Sequence, residues 1–247
     1  MPPRLYLDAP LHSGADLTLP PEASRHVQVL RLQPGDALTL FNGQGGEWAA
    51  SVTRMGRQEV DVRVQTHHAC QTELPRAVTL ALGMPANERM DTLVEKATEL
   101  GAMAVQPLHT ARSVLRLQGE RAERRRSHWQ GVAQAAAEQS GRSAVPRIAP
   151  VQNLGDWLAA LSPTATNGAR LLLSFAADAR PLSAWAGRLP PAITVLSGPE
   201  GGLDAKEEAL ALARGFVPLS LGPRVLRADT APLATLAGLA VLLADDL

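Results

Sequence analysis

Cysteine is nearly absent from this chain: Cys70 is the only one among 247 residues. A lone cysteine excludes an internal disulfide and a cluster of metal-bound thiolates, so the fold must be held together by packing. Long apolar runs are missing too, and no stretch approaches the ~20 residues that a membrane-spanning helix needs. Met1 to Arg4 are not followed by a secretory apolar segment. These absences predict a soluble, cytoplasmic protein.

Motifs of several common enzyme classes are also absent. There is no Gly-x-x-x-x-Gly-Lys-Ser/Thr loop and no Gly-x-Gly-x-x-Gly after a strand, which argues against P-loop hydrolysis and dinucleotide-dependent hydride transfer. No Gly-x-Ser-x-Gly elbow presents a nucleophilic serine. The six histidines lack metal-ligand spacing, so no metal site is predicted. His67 and His68 fall near the expected domain junction and are interpreted as a solvated linker.

Lysine is scarce: Lys96 and Lys206 are the only two among 24 basic residues, which 24 acidic residues balance. Zero formal charge gives no overall preference for nucleic acid. The basic surplus falls in the middle of the chain, notably at Arg121 and at 124–126. Guanidinium groups form bidentate hydrogen bonds to phosphates and stack on bases, which is compatible with RNA contact. A nucleotide-composition bias in the genome explains the scarcity more simply.

Two patterns divide the chain near residues 70–76. Residues 1–72 predict a small β-barrel with a short helix, Ser24–Arg31, beside it. Its strands are predicted at Ala37–Phe41, Glu47–Arg54 and Glu59–Gln65, separated by hairpin signals. From residue 73 onward, strands alternate with helices, which predicts a parallel sheet with helices on both faces.

Two glycine-bearing loops in the C-terminal part predict a small-molecule site. The first, Leu196–Gly202, follows a β-branched strand and precedes a capping box at Asp204–Glu207. The second, Leu221–Thr230, follows a short strand and leads into a final apolar helix. Glycines let backbone N–H and C=O groups approach a ligand closely. Ligands bind at the carboxyl edge of a parallel sheet, where both loops are expected.

Seven strings of the sequence carry a family resemblance. They are Arg25-His26, Val29-Leu-Arg31, Glu95-Lys-Ala-Thr-Glu-Leu-Gly101, Arg112-Ser-Val114, Ala137-Glu-Gln-Ser-Gly-Arg142, Gly198-Pro-Glu-Gly-Gly202 and Leu221-Gly-Pro-Arg-Val-Leu-Arg-Ala-Asp-Thr-Ala231. In order, and over nearly the whole chain, they resemble the ribosomal RNA small subunit methyltransferase E family. The resemblance implies methylation of N3 of one uridine in the decoding region of 16S ribosomal RNA, with S-adenosylmethionine as donor. It also implies a substrate within a small-subunit particle, and a homodimer with its sites at the subunit interface.

The resemblance further implies the fold class and its domains. Residues 1–72 would form a PUA-like, RNA-binding β-barrel, and residues 73–247 an α/β SPOUT methyltransferase domain. In such a domain the parallel sheet contains a trefoil knot, a rare exception to unknotted topology. The two glycine loops would form the knot and cradle the methyl donor.

Site residues follow from the same resemblance. The donor would be held by Leu173, Phe175, Leu196, Gly198, Glu200, Gly201, Gly202, Leu221, Gly222 and Leu226. The chemistry of the implied reaction, and not the resemblance itself, assigns Arg227 to stabilise negative charge on the uracil carbonyls, and Glu200 or Asp229 to accept the N3 proton or orient a water that does. RNA would be contacted by Arg25, His26, Arg31, Arg112 and Arg142.

The sequence departs from the family pattern at two places. A lysine often found in one strand-to-helix loop is replaced around 86–88, and the usual glutamate of the second glycine loop is Asp229. Two other function classes stay open. One is a related SPOUT methyltransferase acting on transfer RNA or a ribose 2′-hydroxyl, and the other is a noncatalytic RNA-binding protein.

Overall fold

The computed structural model describes residues 2–70, 72–86, 89–163 and 168–244. Two compact units divide the chain, and each contains two segments. The first unit is Met1–Glu73 with Gln134–Val145, and the second is Leu74–Ala133 with Pro146–Leu247.

The first unit, as far as it is described, contains a five-stranded sheet, one short helix and the C-terminal end of a longer helix. Its elements are β1 (Arg4–Tyr6), β2 (Asp16–Thr18), α1 (Pro21–Val29), β3 (Ala37–Phe41), β4 (Glu47–Met55) and β5 (Val60–His68). The strands pair in the order β1-β3-β4-β5-β2. β1 runs parallel to β3, and the other pairs are antiparallel, so the sheet is mixed. The three predicted strands are confirmed, and closure of the sheet into a barrel stays a prediction.

Alternation of side chains builds the core of this unit. In β5 the side chains of Val60, Val62 and Val64 are fully buried, while the residues between them face outward. The buried hydroxyl of Ser24 on α1 donates to the carbonyl of Leu19 and accepts from the backbone N–H of Val60. These two hydrogen bonds attach α1 to the sheet.

The linker interpretation of His67 and His68 is wrong. Both residues belong to β5 and pair with Trp48 and Glu47 of β4. The ring of His67 lies 4.5 Å, centroid to centroid, from that of Trp48. The strand continues through them because β4 extends far enough to supply backbone partners.

The second unit contains the remaining strands and most of the helices. Its elements are β6 (Ala77–Gly83), α2 (Arg89–Glu99), β7 (Ala104–His109), α3 (Gly119–Ser140, whose last residues belong to the first unit), β8 (Arg147–Ile148), β9 (Gln152–Asn153), α4 (Leu154–Ala160), β10 (Gly168–Leu173), β11 (Arg180–Pro181), a 3-10 turn (Leu182–Trp185), β12 (Ala192–Ser197), α5 (Ala205–Ala213), β13 (Val217–Ser220) and α6 (Thr230–Leu242). No helix in the described ranges combines the length and apolar character that crossing a bilayer requires.

Every strand pair described in this unit is parallel, which confirms the predicted sheet. The order is β11-β13-β10-β12-β6-β7-β8, with β9 paired to β7. The central strands have continuous apolar sequences because helices cover both faces of a parallel sheet. Leu80, Leu171 and Val195 are accordingly fully buried. The knot implied by the family resemblance stays a prediction.

Strand order decides which loops meet. The central strands β10, β12 and β6 are neighbours, although they are far apart in sequence. Because parallel strands end at the same edge, the loops that follow β6, β10, β12 and β13 lie together. α5 begins at the predicted place, where Asp204 and Glu207 form a complete capping box.

Candidate functional site

A cavity of about 820 Å³ lies at the carboxyl edge of the sheet in the second unit. Its walls come from the segments that follow three neighbouring strands, β10, β12 and β13. The volume falls within the range of roughly 300–1,000 Å³ that is typical of small-molecule sites. Both glycine loops, whose position predicts a small-molecule site, therefore line one cavity.

Apolar side chains and a few polar groups line this cavity. Its apolar residues include Leu173, Phe175, Leu203, Leu219, Leu221 and Leu226. Its side chains able to form hydrogen bonds are Arg89, Ser174, Ser197, Glu200, Glu208, Arg224 and Arg227. Phe175 is 69% exposed, so its ring stands at the mouth of the site and is available to a ligand.

The first glycine loop is a tight turn with little room for side chains. The backbone N–H of Gly202 donates to the carbonyl of Pro199 at 2.8 Å, and Gly202 has a φ of +69°. A Cβ on Gly198 would lie 2.8 Å from backbone atoms of Gly202 and Leu203. Gly198 is thus required by the packing of the loop against itself, whereas Gly202 is required by its left-handed backbone conformation.

Arg112 braces this loop from the segment after β7. Its Nη1 donates to the carbonyl of Gly201 at 2.7 Å and to that of Leu203 at 3.3 Å. Next to it, the N–H of Ala111 donates to Glu207 at 2.6 Å, and Glu207 also accepts from the N–H of Asp204. The predicted RNA contact of Arg112 is untested, and its guanidinium is engaged with the loop backbone.

His109, at the end of β7, anchors the segment that carries Arg112. Its Nε2 accepts a hydrogen bond of 3.1 Å from the buried N–H of Leu117, which requires the neutral ring. Burial, and to a lesser degree the positive charge of Arg116, lower the pKa of His109. The neutral state of this histidine is therefore part of the local structure.

Glu200 projects from the first glycine loop towards the loop after β6. Its carboxylate accepts from the N–H of Ala86 at 3.0 Å and from Arg89 at 3.2 Å. The Glu200 side chain is about one-third exposed. Asn87 and Glu88, which belong to the predicted departure at 86–88, lie outside the described residues.

The second glycine loop turns at Gly222, whose φ is +96°, and continues to α6. Arg227 lines the cavity, and its carbonyl accepts from the N–H groups of Thr230 and Ala231. Asp229 lies outside the cavity lining. Its carboxylate accepts from the N–H of Thr230 at 3.0 Å, so it caps α6.

Most of the predicted donor-binding residues line the cavity. Those that line it are Leu173, Phe175, Gly198, Glu200, Gly201, Gly202, Leu221, Gly222 and Leu226. Leu196 instead is fully buried in an apolar cluster with Leu172 and Phe216. Its side chain therefore supports the floor of the site without reaching it.

Sequence reasoning missed Arg89, Ser174, Ser197 and Glu208 as lining residues. Ser174 and Ser197 could have been found, because each lies close to the carboxyl end of a strand that the sequence predicts and that reaches the same edge. Arg89 had no such signal. Its contact with Glu200 depends on the adjacency of β6 and β12, which only the sheet order reveals.

The other predicted RNA contacts lie in the first unit. Arg25, His26 and Arg31 are exposed on or just after α1. The Nδ1 of His26 is 3.8 Å from Oε2 of Glu138, and Oε1 of the same carboxylate accepts from the N–H of Tyr6. The grouping of these side chains on one exposed element is compatible with their predicted role.

Arg142 differs from these three residues because it is 3% exposed. Its Nε donates to Glu73 at 2.9 Å, and the same carboxylate group accepts from the N–H groups of Ser143 and Ala144. RNA contact by Arg142 stays a prediction, which this burial does not favour. The observed contacts give it a role in fixing the loop after α3.

Comparisons with known proteins match both parts of the chain. Residues 72–240 match the family model of an RNA methyltransferase domain, and residues 19–65 match that of an RNA methyltransferase PUA domain. Ribosomal RNA small subunit methyltransferase E of Synechocystis sp. is 36% identical over 93% of this chain and 74% of that protein. The protein of the same name from Bacillus subtilis is 30% identical over 88% of this chain and 86% of its own.

Solved structures agree with this result. The ribosomal RNA small subunit methyltransferase E of Neisseria gonorrhoeae, bound to S-adenosylmethionine, has a TM-score of 0.90 at 33% identity and covers 98% of both chains. A putative methyltransferase of Legionella pneumophila, in complex with the same cofactor, has a TM-score of 0.88 at 33% identity, covering 99% of this chain and 98% of its own. Similarity of sequence, domain order and fold extends over nearly the whole chain. The chain belongs to the ribosomal RNA small subunit methyltransferase E family.

Proposed function

We propose that this protein transfers a methyl group from S-adenosylmethionine to N3 of a uridine in the decoding region of 16S ribosomal RNA. The observation that carries the proposal is the cavity formed by both glycine loops at the sheet edge. Family membership supports RNA methylation, and the relatives from Neisseria gonorrhoeae and Legionella pneumophila contain the same methyl donor.

The residues of the cavity fit this donor. Its apolar side chains suit the adenine ring and the carbon chain, and the open turn at Gly222 leaves backbone groups accessible to polar atoms. When bound, the donor supplies an electrophilic methyl group on a positively charged sulfur. Glu200 and Glu208 bring negative charge to the cavity, and Arg89, Arg224 and Arg227 bring positive charge, which suits a donor that carries a sulfonium, an ammonium and a carboxylate group.

Transfer to N3 requires loss of a proton, because the N3 of neutral uridine carries one. The N3–carbon bond forms while the carbon–sulfur bond breaks, so the sulfur leaves as a neutral thioether and the proton passes to a base. We assign Arg227 to stabilise negative charge on the uracil carbonyls. Glu200 is the proposed proton acceptor, directly or through a water, because it is the lining carboxylate that also belongs to the first glycine loop.

Asp229 takes a different part in this proposal. It is the first carboxylate after Arg227, but its side chain is committed to the N-terminus of α6. We therefore treat it as a positioning residue that orients the turn carrying Arg227. The base itself must leave its stack or pair before N3 becomes accessible.

Recognition of the ribosomal substrate is assigned to the first unit. The PUA-family match, together with exposed Arg25, His26 and Arg31, supports RNA contact by α1. A small-subunit particle as substrate, and a homodimer as the active form, complete the proposal. The trefoil knot is proposed as the topology that brings the two glycine loops together.

One experiment tests the activity. Unmodified small ribosomal subunits are incubated with the protein and isotopically labelled S-adenosylmethionine, and modified nucleotides are mapped by mass spectrometry. We expect one 3-methyluridine in the decoding region, and loss of transfer with retained donor binding in Arg227→Ala. Methylation at a 2′-hydroxyl or only of transfer RNA would establish the related methyltransferase instead. Absence of calorimetric heat with the donor would indicate a noncatalytic RNA-binding protein.

A further inference from the structure

A second cavity, of about 300 Å³, adjoins the donor cavity within the second unit. It is lined by Ala86, Val114, Leu115, Arg116 and Arg121, and we call it the basic cleft. The N–H of Ala86 donates to the carboxylate of Glu200, which lines the donor cavity. This hydrogen bond therefore links a residue that lines the basic cleft to a residue that lines the donor cavity.

Two guanidinium groups give the basic cleft its charge. Arg116 is oriented by a hydrogen bond of 3.2 Å from its Nη2 to the carbonyl of Ala111, and no carboxylate among the described residues forms an ion pair with it. Arg121 is exposed near the N-terminus of α3 and forms no ion pair with a carboxylate of the described ranges. The positive end of the α3 dipole adds to the attraction for anions.

Further arginines continue this charge along α3. Arg124 and Arg125 are exposed and follow Arg121 at spacings of three and four residues, which places them on the same side of the helix. Arg126 is different because it pairs with Glu123 and is partly buried. Glu120 contributes one opposing charge, so the exposed surface retains a clear positive excess.

Apolar surface lies beside these charges. Val114 is 75% exposed at the cleft, and Leu115 lies next to it in sequence. Guanidinium groups bind phosphates in a forked geometry, and an apolar surface accepts a ribose or the face of a base. A nucleotide presents both features, because its phosphates suit the guanidinium groups and its ribose and base suit the apolar surface.

We propose that the basic cleft binds a nucleotide that flanks the target uridine in the RNA substrate. Arg116 and Arg121 contact its phosphates, Val114 and Leu115 contact its ribose or base, and Arg124 and Arg125 follow the adjoining backbone. This inference rests on the proposed function, because a base placed at the donor cavity brings its neighbours next to Glu200 and Ala86. Unstacking of the target base is then assisted by a site that holds the adjoining nucleotide.

The test compares Arg116→Gln, Arg121→Gln and their combination with Arg188→Gln. Arg188 is an exposed arginine of the same unit that lines neither cavity, and it provides the matched control. The probes are unmodified small ribosomal subunits and a fluorescent decoding-region RNA. Dissociation constants for the RNA are measured by anisotropy at several salt concentrations, and donor affinity is measured by calorimetry.

We expect each cleft substitution to weaken RNA binding about tenfold, as for the loss of one charge-assisted contact. The slope of log affinity against log salt should fall by about 0.7 per lost contact with a single strand. Arg121→Lys should recover most of the affinity because phosphate also binds an ammonium group. Donor affinity should remain that of the unaltered protein.

RNA affinity and salt slope that stay unchanged in the double variant would overturn the cleft proposal, while methylation by the unaltered protein would leave the proposed function intact. Equal weakening in Arg188→Gln would overturn it as well, because the effect would then reflect total charge. Since RNA binding is measured without catalysis, the cleft is tested even when no 3-methyluridine forms.

Discussion

The guanidinium of Arg112 holds the carbonyl of Gly201 at 2.7 Å, across 89 residues of sequence. This contact fixes the first glycine loop from the neighbouring segment after β7. Its geometry also limits residue 201, since a Cβ there would lie 3.1 Å from the Cβ of Arg112. Loop conformation and donor affinity should therefore depend on a side chain that lies outside the donor cavity.

Substitution of Arg112 separates loop support from RNA contact. Arg112→Gln should weaken donor binding about tenfold, because a hydrogen bond from a charged group contributes roughly 1.5–3 kcal/mol and this one is partly solvated. RNA affinity should change little. Calorimetry with the donor and anisotropy with RNA give the two values, and loss of RNA affinity alone would restore the role predicted from the sequence.

Glu200 should act in the chemical step. Glu200→Gln keeps an oxygen that accepts from the N–H of Ala86 but removes the negative charge and the basicity. We expect a loss of about 10²-fold or more in single-turnover rate, the usual contribution of a general base. Arg89→Gln is the control, because it removes the ion pair and leaves the carboxylate in place. Equal losses in both variants would show that Glu200 only positions the loop.

Asp229 should contribute to stability more than to chemistry. Asparagine caps a helix about as well as aspartate, so Asp229→Asn should leave thermal stability and methyl transfer nearly unchanged. Asp229→Ala should lower the free energy of unfolding by about 1 kcal/mol, the typical value for loss of an N-cap. Denaturant titration gives the free energy of unfolding, and single-turnover kinetics give the rate of methyl transfer. A large loss of rate in Asp229→Asn at unchanged stability would identify a catalytic carboxylate.

His109 should make the stability of the second unit depend on pH. Its pKa is lower in the folded than in the unfolded chain, so the unfolded state binds more protons below about pH 6.5. The contribution of neutral His109 to the free energy of unfolding is fully present above that pH. It is lost as the pH falls through the lower pKa that His109 has in the folded state. We measure the free energy of unfolding at several pH values between neutral and mildly acidic. Its slope against pH should be smaller in His109→Gln than in the unaltered protein. His12→Gln, which changes an exposed histidine of the first unit, is the control.

Local patterns predicted the elements that form the donor cavity. The strand Ala192–Ser197, the capping box at Asp204–Glu207 and the two glycine loops all appear where periodicity and turn residues place them. These signals are reliable because each depends on residues within a few positions of one another. The end of β5 was missed because the pairing of His67 with Trp48 depends on the length of a neighbouring strand.

The sequence by itself determined the two classes of domain, the parallel sheet and the loops that surround the cavity. Only the tertiary structure decided that Arg112 reaches the carbonyl of Gly201, that Arg89 meets Glu200 and that Arg142 is buried against Glu73. For the first two contacts the physical reason is the sheet order: β6 lies between β12 and β7, so groups more than 80 residues apart in sequence meet at one edge. Charge and residue type are properties of the sequence, but the partner of each charge is set by which strands lie side by side.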